Sequence, residues 1–79
     1  MHNGDWNDIR NGLWIAGGNS ENSPAGHDGH FWLVLCVVIN EAGAGQFAFR
    51  IASSKASNNI LLRYGNISSG TWNAWYAPY

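Results

Sequence analysis

The stretch His30-Phe31-Trp32-Leu33-Val34-Leu35-Cys36-Val37-Val38-Ile39 decides the fold. It is rich in β-branched and aromatic residues, and loop-type sequence flanks it on both sides, so it reads as a strand. Apolar residues at both parities predict a central strand covered on both faces. Nine apolar residues, Phe31 to Ile39, fall far short of the roughly 20 that cross a membrane as a helix, so no membrane insertion is expected.

The sequence on either side predicts more strands. Downstream, Asn40-Glu41-Ala42-Gly43-Ala44-Gly45 reads as a hairpin loop leading into a strand over Gln46–Ser53. There Phe47, Phe49 and Ile51 point one way and Gln46, Ala48 and Arg50 the other, the alternation of a half-buried strand. Ser54–Asn58 reads as a turn. Asn59–Tyr64 alternates again, with Ile60, Leu62 and Tyr64 opposite Leu61 and Arg63. After a loop over Gly65–Gly70, Thr71–Tyr76 forms a last short strand. Upstream, Leu13–Ala16 is a first strand, and Asp5-Trp6-Asn7-Asp8 is one helical turn capped by Asp5. Gly17–Gly29, rich in Gly, Asn and Ser, is a long irregular loop of the kind that often carries function.

The expected fold is therefore mainly β: one domain over residues 1–79, a small antiparallel meander of four to five strands with one short N-terminal helical turn. One face collects Phe47, Phe49, Ile51, Ile60, Leu62 and Tyr64. The other collects Gln46, Arg50 and Arg63, with Trp32, Val34, Cys36 and Val38 placed there by alternation. A face mixing Trp, Gln and two Arg does not read as an ordinary core.

Composition narrows the function. A chain of 79 residues buries only about 60% of its unfolded surface and needs help to be stable. One cysteine, Cys36, excludes an internal disulfide and, inside an apolar run, reads as buried and inert. Five Trp, three Tyr and three Phe supply a large aromatic payload. Charged residues make up 11%, against about 25% in an ordinary domain, and such a surface has little electrostatic defence against association. It suits a crowded assembly or a neutral partner such as sugar. The net charge of −1 and the scattered Arg10, Arg50, Lys55 and Arg63 exclude a phosphate-tracking, nucleic-acid-binding surface. The polar N-terminus has no apolar segment of signal-peptide type.

No catalytic constellation is legible. No serine sits in a nucleophile elbow, and the five acids fall mostly in turns and loops. His27-Asp28-Gly29-His30 offers two histidines, but Gly29 leaves their geometry undefined and no further ligand is evident, so neither a metal nor a cofactor is expected. Trp72-Asn73-Ala74-Trp75 sets two indoles three apart. They either stack on sugar rings or close the core of a small domain. Arg50 and Arg63 share a parity and are either two solvated cations or a polar contact surface. The candidate ligand-binding residues are Trp14, Asn19, Asn22, His27, His30, Arg50 and Arg63.

Seven motifs occur in an order that resembles the knob domains of phage tail fibres and R-type pyocin fibres. They are Asp5-Trp6-Asn7, Gly12-Leu13-Trp14, Asn22-Ser23-Pro24, Trp32-Leu33-Val34-Leu35, Gln46-Phe47-Ala48-Phe49, Ile60-Leu61-Leu62-Arg63 and Thr71-Trp72-Asn73-Ala74-Trp75. They span residues 5 to 76. Trp6 stands where the family usually carries a smaller apolar residue, and the histidine-containing end of the long loop is a second departure. The resemblance implies a non-enzymatic, usually homotrimeric module of a virion tail or phage-tail-like bacteriocin particle. Its fibre would attach to a bacterial surface glycan or lipopolysaccharide, with this module as either binding tip or spacer. A carbohydrate-binding module of a secreted or surface hydrolase is the alternative reading.

Overall fold

The structure is a computed structural model, and it describes residues 2–24, 29–51 and 59–78. Five strands form one antiparallel sheet in chain order: β1 Gly12–Gly17, β2 Phe31–Asn40, β3 Gly43–Ile51, β4 Ile60–Asn66 and β5 Thr71–Trp72. A single 3-10 turn, Trp6–Asp8, precedes them, with Asp5 accepting a hydrogen bond from the Asn7 N–H as its cap. The expected mainly-β meander with one N-terminal helical turn is what forms. The β2–β3 hairpin is tighter than expected: Asn40 pairs with Gly43, leaving Glu41 and Ala42 as the turn. The expected turn over Ser54–Asn58 lies outside the described residues.

The register gives each face of the sheet its residues. On one face, Trp14–Val34–Ala48–Leu61 run across four strands, beside Gly12–Cys36–Gln46–Arg63. On the other, Leu13–Leu35–Phe47–Leu62 run across the same strands, and the Leu62–Tyr76 bridge extends that row. Ile15–Leu33–Phe49–Ile60 lie beside it.

The covered face is the one that sequence composition reads as polar. The core is Trp6, Ile9, Ala16, Trp32, Val34, Cys36, Ala48 and Leu61, with Trp14, Val38, Trp75 and Ala77 packed against it. Trp6 and Trp32 are fully buried. Small Ala44 and Ala48 on β3 sit among these larger groups, and Trp6 and Ile9 come from the segment that crosses this face. Three hydrogen bonds tie Trp6 to distant segments: its indole N–H donates to Gly17 O, its backbone N–H to Glu21 O, and its own carbonyl accepts from Gln46 Nε2.

The Phe47/Phe49/Ile51 face is therefore open, and β2 is covered on one side only, not on both. Leu13 is 64% exposed, Phe31 50% and Phe47 42%, and Ile15, Leu35, Val37, Phe49, Ile51, Tyr64 and Tyr76 are exposed with them. One short turn and the C-terminal residues pack on the first face, and no described segment crosses the second. Among the described residues no helix is long and apolar enough to cross a membrane.

Gly65 marks where the meander closes. A Cβ there would lie 2.5 Å from Trp72 Cδ2 and 2.6 Å from the Thr71 carbonyl oxygen, so β4 and β5 meet at this distance only because the side chain is absent. Gly65→Ala is expected to push β5 off β4 and to cost about 1–3 kcal/mol. For a domain of this size that lowers the melting temperature by about 4–8 °C per kcal/mol. An unchanged thermal melt followed by circular dichroism would contradict this packing.

Candidate functional site

The polar group at the centre of the covered face is Arg63, on β4. It is 3% exposed, and its Nε donates to Gln46 Oε1 at 2.9 Å. Gln46, also fully buried, donates through Nε2 to Trp6 O at 2.8 Å. The amide thus spends its acceptor on the cation and a donor on the 3-10 turn. Two indoles flank the guanidinium, with Cζ 4.3 Å from the Trp72 ring centroid and 4.6 Å from that of Trp75. Ring quadrupoles stabilise a cation in this position, more so where water is excluded. Burial still pushes the Arg63 pKa down, to about 10, against the raising influence of Asp5 and Cys36, and the group stays protonated at neutral pH.

Arg63 lines an open cleft of about 680 Å³ with Asn7, Asn22, Ser23, Thr71, Trp72, Asn73 and Trp75 among its walls. Three distant segments build it. The 3-10 turn brings Asn7, the long loop brings Asn22 and Ser23, and the residues from Thr71 onward bring the indoles. Asn22 ties these segments together: its Nδ2 donates to Asp5 Oδ1 at 2.8 Å, and its carbonyl accepts the Trp75 indole N–H at 3.1 Å. It holds a left-handed backbone, φ 61°, a conformation asparagine tolerates better than most residues. Two polar atoms of the cleft residues are buried without a hydrogen-bond partner, Arg63 Nη2 and Asn7 Oδ1.

The sequence-derived candidates scatter across this arrangement. Asn22 and Arg63 enter the cleft. Arg50 shares the covered face with Arg63, as parity predicts, and its guanidinium lies 4.6 Å from the Trp32 ring centroid. Trp14 is half-buried against the core, its indole N–H donates to Arg10 O, and the His2 ring meets it edge-on. Asn19 is exposed and His30 half-buried, and neither lines the cleft. His27 lies outside the described residues. Among the described residues no group of three His, Cys, Asp or Glu side chains is placed to hold a metal. Cys36 is buried, its thiol donates to Ile9 O, and burial raises its pKa, so it is a poor nucleophile.

Trp72 and Trp75 serve both readings at once. They pack against the structure, Trp75 meeting Trp6 edge-on with centroids 5.6 Å apart, and they also wall the cleft. Asn7, Trp72, Asn73 and Trp75 are cleft residues beyond those the sequence singles out, and the Trp-x-x-Trp spacing is the sequence signal for the indoles. Comparison of the chain with protein-family models, with curated proteins and with solved structures finds no match.

Asp5 anchors the cleft wall, and its titration is readable in stability. Burial alone would raise its pKa, but hydrogen bonds from Asn22 and the Asn7 N–H, with Arg63 and His2 nearby, hold it below 3.8. A lowered carboxylate pKa stabilises the fold above the unfolded value and loses that contribution as pH falls through the folded one. Asp5→Ala is expected to cost about 1 kcal/mol at pH 7 through the lost cap. Denaturant titrations should show parent and variant converging as pH drops below 3.8. A constant gap down to the acid limit would contradict this role.

Proposed function

We propose that the chain is a non-catalytic knob-type module of a phage or phage-derived tail fibre. It works as a homotrimer, and its parent fibre attaches to a bacterial surface glycan. The observation that carries this reading is the open apolar face of the sheet.

That face offers a substantial part of an interface. The rows cross four strands, β1 to β4; at about 4.8 Å between strands and about 3.4 Å per residue they make a surface roughly 14 Å across and 20–30 Å long. In projection this is about 300–400 Å², before the relief of the side chains is counted, or about half of the roughly 800 Å² that one partner contributes to a standard interface. A contiguous apolar patch of this size matches the largest found on a typical monomer, and such patches often serve binding. Its rows, Leu13–Leu35–Phe47–Leu62 and Ile15–Leu33–Phe49–Ile60, contain no charged residue, so a fitting partner is also apolar. A second copy of the chain offers such a surface, and the low overall charge does not oppose the approach of copies.

Three such faces turned toward one axis bury one another and leave the opposite face, with its Arg63 cleft, pointing outward. That arrangement suits a fibre element: the inner face assembles and the outer face is presented to the cell surface. The ordered motifs over residues 5 to 76, which resemble fibre knobs, add to the reading.

Sedimentation equilibrium of the purified chain tests it. The expected mass is three times the 8.7 kDa of one chain. Phe47→Lys, which sets a charge at the centre of the open face, is expected to return the mass to one chain while leaving the β signature in circular dichroism. A single-chain mass for the parent at high concentration would overturn the assembly. A stable two-chain mass would overturn the threefold arrangement.

A further inference from the structure

We infer that the cleft over Arg63 is a binding site for a carboxylate-bearing sugar, a uronic-acid type of residue. The inference deepens the attachment reading, resting on it for the source of the sugar and not for the chemistry.

The first support is the pair of unmet polar atoms. Arg63 Nη2 is a buried donor on a cation without a hydrogen-bond partner, and Asn7 Oδ1 is a buried acceptor without one. Leaving such groups unpaired is unfavourable, more so for charged ones. A ligand that satisfies both brings an acceptor, best an anionic one, and a donor. A sugar acid carries a carboxylate and hydroxyls a few ångströms apart on one ring. A neutral sugar lacks the charge, and a simple carboxylate lacks the donor.

The second support is the charge balance. Among the described residues no carboxylate lines the cleft or pairs with Arg63. Asp5, the nearest acid to influence it, is already engaged by Asn22 and the Asn7 N–H. The guanidinium is held by Gln46 and two indoles, all uncharged, so its charge is stabilised without being neutralised. Guanidinium groups match carboxylates through parallel N–H donors.

The third support is shape. A volume of about 680 Å³ falls within the range of small-ligand sites. Half-buried Trp72 and Trp75 supply ring surface, and exposed Asn73 and Thr71 supply polar groups at the rim. Both indoles that flank the guanidinium line the cleft, and Trp72 sits on a strand of only two residues.

The test uses the full chain and nuclear magnetic resonance, with glucuronate, glucose, acetate and a neutral-capped dipeptide with a free C-terminus as separate probes. Glucuronate is expected to shift the indole N–H signals of Trp72 and Trp75 and the Arg63 Nε–H signal, with affinity at least about tenfold above glucose and acetate, the equivalent of one charge-assisted hydrogen bond. Asn7→Ala, which removes an unpartnered side-chain atom and leaves the Asn7 N–H cap bond in place, is expected to weaken glucuronate several-fold with a melting temperature no lower than the parent's. Equal affinity for glucose and glucuronate, tighter binding of the dipeptide, no shift with any probe, or indifference to Asn7→Ala would each overturn the site. Repeating the titration on Phe47→Lys separates this inference from the assembly reading. The cleft is on the opposite face, so binding is expected to persist whether or not the chain self-associates.

Discussion

A β-sheet has two faces, and a chain of 79 residues has little material with which to cover both. The rest of this structure follows from that limit. The 3-10 turn and the C-terminal residues pack on one face. They place Trp6, Ile9 and Trp75 over Trp32, Val34 and Cys36. The opposite face keeps its rows of Leu, Ile and Phe in the open. In the assembly proposed above, association of such faces would supply apolar burial that a small domain without a disulfide lacks.

The covered face achieves its packing with unusual residues. A buried arginine costs several kcal/mol of desolvation unless its surroundings compensate. Here compensation comes from a neutral amide and two indoles in place of a carboxylate. Gln46 links the cation to the carbonyl of Trp6, 40 residues away, so the same hydrogen-bonded chain that holds Arg63 also holds the turn that seals the core. The proposed assembly surface and the proposed binding cleft therefore lie on opposite faces. The open face is free of charge along its central rows, whereas the covered face carries a stabilised cation at the edge of a cleft.

Strand number, strand order and the N-terminal turn were legible because alternation and capping are local signals. Which face is buried was not. Alternation sorts Phe47 from Gln46 but does not say on which side the rest of the chain passes. Composition then misleads, since Phe47, Phe49 and Ile51 outweigh Gln46, Ala48 and Arg50 in hydrophobicity. The deciding facts are long-range: the Gln46–Trp6 hydrogen bond, the Ala44 and Ala48 positions beside bulkier residues, and the indoles that make Arg63 tolerable inside. The cleft was only partly legible for the same reason. Asn22 and Arg63 stand out in the sequence as polar residues on a loop and a strand. Asn7 reads as an ordinary turn residue, and only the fold sets it beside them. The parity shared by Arg50 and Arg63 was readable and places them on one face, yet only the register reveals the indole that each one meets.

We propose that one face of the sheet is sealed by the chain itself and the other by copies of it. Methyl resonances report this residue by residue when a paramagnetic cosolute is added to the solvent. The account predicts that Val34 methyls are protected at every protein concentration. Leu13, Leu35 and Leu62 methyls should be protected when concentrated and become accessible on dilution. Leu35 methyls accessible at all concentrations, or Val34 methyls as accessible as those of Leu35, would contradict it.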